Sequence, residues 1–149
     1  MAYYEDCVIF LLAKAYQKAH AKIKARVKQY GITPIQHLVL EALWDEEGLY
    51  AVELSKNLSL DNATLSGVLE RLEEGGWIIK RVDEEDRRYI RVYLTKKGKD
   101  FRSELIEERK LANEDILSEF SLEEKVLFKR MLRDISQVSS SRQEGPNRQ

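Results

Sequence analysis

The chain has 149 residues, of which 43% are hydrophobic, and its 25 Lys and Arg nearly balance its 26 Asp and Glu to give a formal net charge of −1. This length suits one ordinary domain, and the charge excludes a protein that binds nucleic acid through bulk charge alone. One cysteine and two histidines exclude an intrachain disulfide framework and leave little for a zinc site, so we expect no metal and no cofactor.

The apolar residues do not form a membrane segment. The longest purely apolar run, residues 8–13, is far shorter than the roughly 20 residues that cross a bilayer, and no signal-peptide pattern opens the chain. We therefore expect a cytoplasmic protein with no membrane partner.

Basic residues are concentrated in two places. Residues 14–28 contain six Lys and Arg and no acid, and residues 80–102 contain nine Lys and Arg against five acids. Local basicity of this kind keeps nucleic acid open as a partner.

The first part of the chain predicts two helices. Residues 2 to about 30 have an alanine-rich helical pattern, which Gly31 ends. Thr33 and Gln36 form a capping box around Pro34, so a second helix begins there and runs to about Trp44. The apolar positions that we expect in its core face are Ile35, Leu38, Val39, Ala42 and Leu43.

The central part predicts two further helices. Residues 51–58 form a short third helix with expected core positions Val52, Leu54 and Leu58. A tight connection leads to a fourth helix, with Asp61 as its N-cap and Gly75-Gly76 as its stop. Its apolar stripe at i, i+3, i+4 and i+7 consists of Leu65, Val68, Leu69 and Leu72. Two short helices joined by so few residues predict a helix-turn-helix.

The period then changes from helix to strand. Residues 77–82 are a short β-rich run, and residues 90–94 alternate apolar and polar side chains. Between them lie the charged residues 83–88, which are too polar for a core. This segment predicts a hairpin with a charged tip, or wing.

The last part predicts two helices and a tail. One helix runs from the wing to about Ser118, and a capping box at residues 121–124 begins another. The first and the last two helices carry more apolar surface than a small winged-helix core can cover, so we expect a second copy of the chain to bury it. Residues 139–149 form a polar tail that we expect to be disordered.

The fourth helix carries residue types that suit a DNA groove. Its outward residues are small or polar, namely Asn62, Ala63, Thr64, Ser66 and Gly67. Such a helix can approach base edges in a major groove about 12 Å wide. Glu70, Glu73 and Glu74 would repel phosphates, so we expect only the N-terminal half to enter, with Arg71 reaching the backbone.

Wing arginines suit a different groove. A guanidinium on a hairpin fits a narrow, electronegative minor groove and reads its width more than its sequence. The candidates are Arg81, Arg87 and Arg88, of which Arg88 is preferred. Taken alone, arginines at a loop tip more often serve solubility, but the preceding helix favours DNA.

These residues resemble the multiple-antibiotic-resistance-regulator (MarR) family of winged-helix transcription factors. The resemblance spans about residues 5–138, and the matching residues are Leu60-Asp61, Thr64-Leu65, Arg71-Leu72-Glu73, Gly76, Asp86-Arg87-Arg88, Leu94-Thr95 and Lys97-Gly98. It implies a mainly α fold with a small β-hairpin wing (α+β) in a single domain, residues 1–138. The DNA-binding lobe covers about residues 33–98, and dimerisation helices cover residues 2–30 and 99–138.

The same resemblance implies further roles. Asp61 pairs with Arg88 and holds the wing in register with the recognition helix. Family members bind small aromatic or phenolic ligands between the dimer helices and the DNA-binding lobe. The candidates by location are Tyr16, His20, Tyr30, His37 and Trp44, although such residues at helical spacing are more often core or surface.

Cys7 raises a redox alternative, since one branch of the family senses organic hydroperoxides with a cysteine early in its first helix. The supporting tyrosines of that branch have no counterparts here, and Cys7 aligns about two residues out of place. We therefore expect Cys7 to be buried, apolar and inert.

The sequence thus predicts a homodimeric repressor that leaves a pseudo-palindromic operator when it binds a small aromatic or phenolic ligand. Carboxylates and their thioesters are among the candidate ligands. The alternatives are a peroxide-sensing repressor and a winged-helix module that binds proteins. An enzyme is not expected, because the chain has no Gly-rich phosphate loop, no metal-spaced His, Cys and Glu cluster, and no nucleophile with an evident base.

Overall fold

The computed structural model describes residues 2–137 of the chain. The chain divides into two compact units, Met1–Ile116 and Leu117–Gln149. Residue 138 and the tail predicted to be disordered, residues 139–149, lie outside the described residues. Within residues 2–137, no helix is both long and apolar enough to cross a membrane.

The first unit begins with helix α1 (Val8–Val27), which lies between short 3-10 turns at Tyr3–Asp6 and Lys28–Tyr30. Gly31 follows with a φ of +72°, a left-handed conformation that glycine adopts without steric cost, so the predicted helix stop is confirmed. Val27 is buried, whereas the N-terminal turns of α1 are exposed. α1 therefore joins the core at its C-terminal end.

Three helices form the predicted helix-turn-helix and its lead-in: α2 (Pro34–Asp45), α3 (Ala51–Asn57) and α4 (Asn62–Glu74). The capping box of α2 is confirmed, because the N–H of Gln36 donates to Thr33 Oγ1 (3.3 Å) and the N–H of Thr33 donates to Gln36 Oε1 (2.9 Å). Gly76 ends the α4 region with a φ of +75°. The predicted core stripe of α4 is buried along its whole length: Leu65, Val68, Leu69 and Leu72.

An antiparallel hairpin follows α4 and forms the predicted wing. Its strands are β1 (Ile78–Val82) and β2 (Ile90–Leu94), with Ile78 opposite Leu94 and Val82 opposite Ile90. Buried residues at the base of the hairpin, namely Trp77, Ile78, Val92 and Leu94, join it to the core. The polar residues between the strands form the tip.

The region after the wing differs from the prediction. In place of one helix to about Ser118, a short helix α5 (Lys96–Asp100) precedes helix α6 (Arg102–Ile116). The break lies at Phe101, whose ring packs edge-on against Tyr30 (5.9 Å between centroids) and Trp77 (5.5 Å). The helix is interrupted where this partly buried ring packs against the other two. In the second unit, α7 (Leu122–Ser136) begins with the predicted capping box of Ser121 and Glu124.

The core of the first unit is built around α2, α4 and the base of the wing. Its fully buried side chains include Val27, Val39, Leu40, Leu43, Leu54, Leu72, Ile78, Val92 and Leu105. Two predicted core residues are wrong, since Leu38 is 38% exposed and Val52 is 51% exposed. Leu38 lines an open cavity beside α1 and α6, and Val52 borders a groove next to the wing.

Exposed apolar side chains mark two of the predicted dimerisation helices. On α1 they include Val8, Ile9, Leu11, Leu12 and Tyr16. On α7 they include Leu122, Val126, Leu127, Met131 and Ile135. Apolar surface of this extent is typical of a protein–protein interface.

Gly98 provides a test of the packing at the base of the wing. A Cβ at this position would overlap the carbonyl oxygen of Trp77 and would lie 3.1 Å from Leu94 Cδ2. Because the backbone cannot move aside cheaply, we expect Gly98→Ala to lower the free energy of unfolding by about 1–3 kcal/mol, measured by urea denaturation.

Gly67→Ala is the matched control, since a Cβ on this exposed α4 residue would meet nothing within 4 Å. Alanine favours a helix more than glycine does, so we expect a gain of roughly 0.5–1 kcal/mol. A Gly98→Ala midpoint equal to that of the wild type would contradict the close packing.

Candidate nucleic-acid interface and adjoining cavity

α4 presents small and polar residues to solvent because its apolar stripe faces the core. The residues predicted to contact DNA from this helix are all exposed: Asn62, Ala63, Thr64, Ser66, Gly67 and Arg71. An open groove of about 460 Å³ runs along this face and is lined by Arg71, by Lys24 of α1 and by the N-terminal turn of α2. The face is free of bulky side chains and bordered by two positive charges.

Asp61 fixes the N-terminus of α4. Its Oδ1 accepts the backbone N–H of Thr64 (2.7 Å), and its Oδ2 accepts the Thr64 hydroxyl (2.7 Å). The first of these bonds, followed by the second, lowers the pKa of Asp61. Asp61 therefore acts as the predicted helix cap, with both carboxylate oxygens engaged.

The pairing of Asp61 with Arg88 that the resemblance implies is wrong in this structure. Arg88 Nε donates to Asp86 Oδ1 (3.0 Å) and its Nη2 donates to Asp86 Oδ2 (2.7 Å). These bonds lower the pKa of Asp86 and raise the pKa of Arg88. Asp86 has the advantage because it lies two residues away in the same turn, whereas the oxygens of Asp61 already accept bonds from Thr64.

The predicted minor-groove arginines lie on the hairpin and are exposed. The side chain of Arg88 is 81% exposed, and Arg87 is exposed beside it. Arg81, on β1, lies with its guanidinium carbon 5.6 Å from the centroid of the Tyr93 ring. The wing therefore presents positive charge both between its strands and along its first strand.

A polar cluster at the end of the strands nearest the tip of the wing is missing from the sequence-based prediction. Asp83, which is 8% exposed, accepts Arg91 Nε (3.1 Å) and the Tyr50 hydroxyl (3.1 Å). Arg91 Nη1 also donates to the carbonyl of Gly48 (3.0 Å), and its guanidinium carbon lies 4.0 Å from the centroid of the Tyr50 ring. The Arg91 bond is the main cause that lowers the pKa of Asp83. We term Tyr50, Asp83 and Arg91 the wing anchor.

The sequence carries only a weak signal for the wing anchor. Arg91 lies on the face of β2 opposite Val92 and Leu94, a position typical of a solvent-exposed side chain. Tyr50 is 41 residues from Arg91 and 33 residues from Asp83. No local spacing connects residues that are this far apart.

A cavity of about 380 Å³ opens between α1, α2 and α6, close to the helix-turn-helix. Two predicted ligand residues, Tyr16 and His20, line it, with their ring centroids 5.5 Å apart. The other walls are mostly apolar, and Arg109 and Asn113 add polar groups from α6. A cavity of this size lies within the range of about 300–1,000 Å³ for small-molecule sites.

The remaining predicted ligand residues have structural partners. The Tyr30 hydroxyl donates to Glu108 (3.5 Å), and Trp44 Nε1 donates to the carbonyl of Gly98 (2.8 Å). His37 is fully buried and packs edge-on against Trp44, with 6.0 Å between ring centroids. Tyr30, His37 and Trp44 therefore do not line the cavity.

A charged cluster joins α2 to α6 beside the cavity. Arg109 Nη2 donates to His37 Nδ1 (2.9 Å) and lies 3.4 Å from Glu41 Oε2. Because Nδ1 accepts, neutral His37 carries its proton on Nε2, which lies 3.6 Å from Glu41 Oε1. Burial is the main cause that lowers the pKa of His37 to about 4; the charge of Arg109 acts in the same direction, and a backbone hydrogen bond with Leu105 opposes both. Burial raises the pKa of Glu41, and Arg109 opposes that shift.

Cys7 is exposed at the start of α1 in the single chain, so the predicted burial is wrong there. The physical reason is that the N-terminal end of α1 lies away from the core, with residues 2–9 all exposed. Within residues 2–137, no group of three or more His, Cys, Asp or Glu side chains could hold a metal ion.

Comparisons with known proteins point to one family. A model described as the MarR family matches residues 32–90. The HTH-type transcriptional regulator TtmR of Methylorubrum extorquens is 34% identical over 97 residues, which are 65% of this chain and 48% of TtmR. This chain therefore spans about half the length of TtmR. The HTH-type transcriptional regulator PecS of Dickeya dadantii is 32% identical over 128 residues, 84% of this chain and 73% of PecS.

A solved structure extends the match to nearly the whole chain. The structure of Bordetella bronchiseptica BpsR matches with a TM-score of 0.86 at 27% identity, and the match covers 93% of this chain and 99% of the BpsR chain. That structure describes the regulation of DNA binding of BpsR by 6-hydroxynicotinic acid.

The wing anchor generates a test. We expect Arg91→Leu to leave Asp83 without its cation, so that its pKa rises in a carboxyl NMR titration and amide hydrogen exchange in residues 83–89 accelerates by about tenfold. Arg87→Leu is the matched control, because Arg87 is an exposed arginine of the same hairpin. Equal exchange in Arg91→Leu and the wild type would show that the anchor does not hold the wing.

Proposed function

The chain belongs to the MarR family of DNA-binding transcriptional regulators, and we propose that it works as a homodimeric repressor. It binds a pseudo-palindromic operator and leaves it when a small aromatic or phenolic ligand binds. The observation that carries this proposal is the unobstructed exposed face of α4, which lies beside a wing that bears Arg88 and is held near its tip by the wing anchor.

In the proposed complex, the N-terminal half of α4 enters the major groove. It offers base edges the small or polar side chains of Asn62, Ala63, Thr64, Ser66 and Gly67. Arg71, further along the same helix, contacts a phosphate. Lys80 offsets the acidic C-terminal half, since its N–H donates to Glu73 Oε2 (3.0 Å) and its Nζ lies 3.4 Å from Glu73 Oε1.

The wing contacts the adjacent minor groove. Arg88 inserts there because its guanidinium is exposed and its orientation is set by the two bonds to Asp86. Arg87 and Arg81 add contacts to neighbouring phosphates. Since the wing anchor ties the hairpin to the segment before α3, these arginines keep a fixed position relative to α4.

Dimerisation buries the exposed apolar side chains of α1 and α7. The two recognition helices of the dimer then meet half-sites about one helical turn, or roughly 10 bp, apart. Sedimentation as a monomer at micromolar concentration would contradict this arrangement.

The effector occupies the cavity between α1, α2 and α6. BpsR supports a small aromatic ligand, because its DNA binding is regulated by 6-hydroxynicotinic acid. Tyr16 and His20 provide aromatic area with polar tips that orient such a ligand. The ligand weakens operator binding only if it prefers the DNA-incompetent dimer, and a preference of about 2 kcal/mol gives a roughly 30-fold effect.

The exposure of Cys7 favours a second candidate, a repressor that senses peroxides. In that mechanism the Cys7 thiolate attacks the peroxide oxygen, forms a sulfenic acid and releases an alcohol. The two candidates share the DNA interface and differ in the signal.

Arg88→Ala tests the DNA interface on DNA that flanks the chain's own gene. We expect weaker binding and a plot of log affinity against log salt that is less steep by about 0.9 for each wing, because each wing loses one charge that neutralises phosphate. Arg130→Ala is the control, since Arg130 is exposed on α7 and likewise bound to a nearby carboxylate, Asp134 (2.8 Å).

Unchanged affinity and slope in Arg88→Ala would remove the wing from the interface. Failure of the wild type to bind any flanking fragment would favour a winged-helix module that binds proteins.

Cys7→Ser separates the two signals. The ligand mechanism predicts that Cys7→Ser keeps nearly wild-type operator binding and ligand release, because Cys7 does not line the cavity. The peroxide mechanism predicts that cumene hydroperoxide releases DNA from the wild type and not from Cys7→Ser. Fluorescence anisotropy of a labelled operator measures both responses.

A further inference from the structure

A small groove lies between α3, α4 and the wing, and it shares no lining residue with the cavity beside α1 and α6. Its volume is about 190 Å³, which is below the range of about 300–1,000 Å³ for small-molecule sites. Two of its lining residues, Leu65 and Leu69, are buried. The others are Ala51, Val52, Asn62, Ser66, Lys80 and Ile90. The groove therefore combines an apolar surface with polar groups and a positive charge.

The wing leaves apolar side chains exposed beside this groove. Val82 lies opposite Ile90, and it shares a face of the hairpin with Lys80 because side chains alternate along a strand. The exposed fractions are 56% for Val82, 42% for Ile90 and 51% for Val52 of α3. Val92, which lies opposite Lys80, is fully buried. The hairpin thus extends past the core, and its far end presents apolar surface to solvent.

Lys80 provides the positive charge of the groove, and Glu73 of α4 holds it. Lys80 Nζ lies 3.4 Å from Glu73 Oε1, with side chains that are 30% and 42% exposed, so solvent screens the attraction and the ion pair is weak. The backbone N–H of Lys80 donates separately to Glu73 Oε2 (3.0 Å). The ammonium group can therefore leave Glu73 while the backbone bond keeps the carboxylate in place.

We propose that Lys80 is a DNA-contacting residue that Glu73 holds only in the free protein. With α4 in the major groove and the wing in the minor groove, the strand that separates the two grooves passes over this site. One of its phosphates takes the ammonium group from Glu73, and the adjoining deoxyribose covers Val52 and Ile90. This inference rests on the proposed repressor function and adds a contact to its DNA interface.

The chemistry of a DNA backbone fits both parts of the groove. Each nucleotide joins an anionic phosphate to a sugar whose surface is mainly C–H. The phosphate attracts Lys80, and the exposed side chains of Asn62 and Ser66 can donate hydrogen bonds to its oxygens. The sugar removes the apolar surface of Val52 and Ile90 from water.

The exchange has a cost, because Glu73 keeps its negative charge near the DNA after its cation has moved. Glu73 therefore competes with the operator for Lys80 and lowers its affinity.

A double-mutant cycle tests this competition by fluorescence anisotropy on the flanking fragment that the wild type binds. We expect Lys80→Gln to bind more weakly, with a plot of log affinity against log salt that is less steep by about 0.9 for each wing. Glu73→Gln keeps an oxygen for the Lys80 N–H and removes only the charge, so we expect about 3-fold to 10-fold tighter binding. In the Lys80→Gln background this gain falls to that of the control Glu74→Gln, which removes an exposed charge from the same turn of α4.

Val52→Thr tests the apolar contact. Threonine keeps the branched shape and adds a hydroxyl group where the sugar packs, so we expect roughly 3-fold weaker binding. The salt slope stays at the wild-type value, because no charge is lost. Wild-type affinity in Val52→Thr would show that no sugar covers this residue.

Equal gains from Glu73→Gln with and without Lys80, or a wild-type salt slope in Lys80→Gln, would overturn the proposal, because Glu73 would then act only through its own charge. Those results leave the operator binding tested with Arg88→Ala intact. Wild-type behaviour of both Lys80→Gln and Val52→Thr would assign the groove to a protein segment instead. If the wild type binds no flanking fragment, the proposed function and this inference both fail. Lys80→Met takes the place of Lys80→Gln should the latter fail to fold by circular dichroism.

Discussion

The carboxylate of Asp83 lies where β1 passes into the tip of the wing, and it must be paired because the residue is only 8% exposed. Arg91 and Tyr50 pair it, and Arg91 also reaches the carbonyl of Gly48. A backbone hydrogen bond also connects β2 to the segment before α3, since the N–H of Val92 donates to the carbonyl of Leu49 (3.0 Å). A two-stranded hairpin alone is marginally stable in water. These bonds connect the wing to the segment before α3, and we expect the position of its arginines to depend on the pairing of Asp83.

Trp77 fixes the angle between this wing and α4. Its N–H donates to the carbonyl of Leu72 at the end of α4 (2.9 Å), and its own carbonyl accepts the N–H of Thr95 after β2 (3.1 Å). Gly98 allows α5 to approach the same carbonyl, and Lys97 Nζ lies 4.3 Å from the centroid of the indole. The recognition helix, both strands and the following helix thus meet at one buried residue.

The sequence predicts α4 and the hairpin well because their signals are local: a cap, an apolar stripe and a change of period. The sequence predicts poorly which side chains bind one another. Asp61 and Arg88 do not pair here because each has a nearer partner. The order of residues along the chain does not show which of several nearby groups a side chain will bind. Periodicity assigned Leu38 and Val52 to a face without showing that this face borders open space. The break at Phe101 likewise depends on aromatic rings that fold back from distant segments.

α2 connects the proposed DNA interface with the proposed ligand site. Its N-terminal turn lines the groove along α4, Leu40 and Leu43 lie in the core of the lobe, and Glu41 faces Arg109 on α6. The side chains of Glu41 and Arg109 are each 29% exposed, so their ion pair contributes only about 1 kcal/mol or less. This contact between α2 and α6 is therefore weak, and a ligand in the cavity weakens operator binding only if it favours a position of α2 that changes the groove along α4.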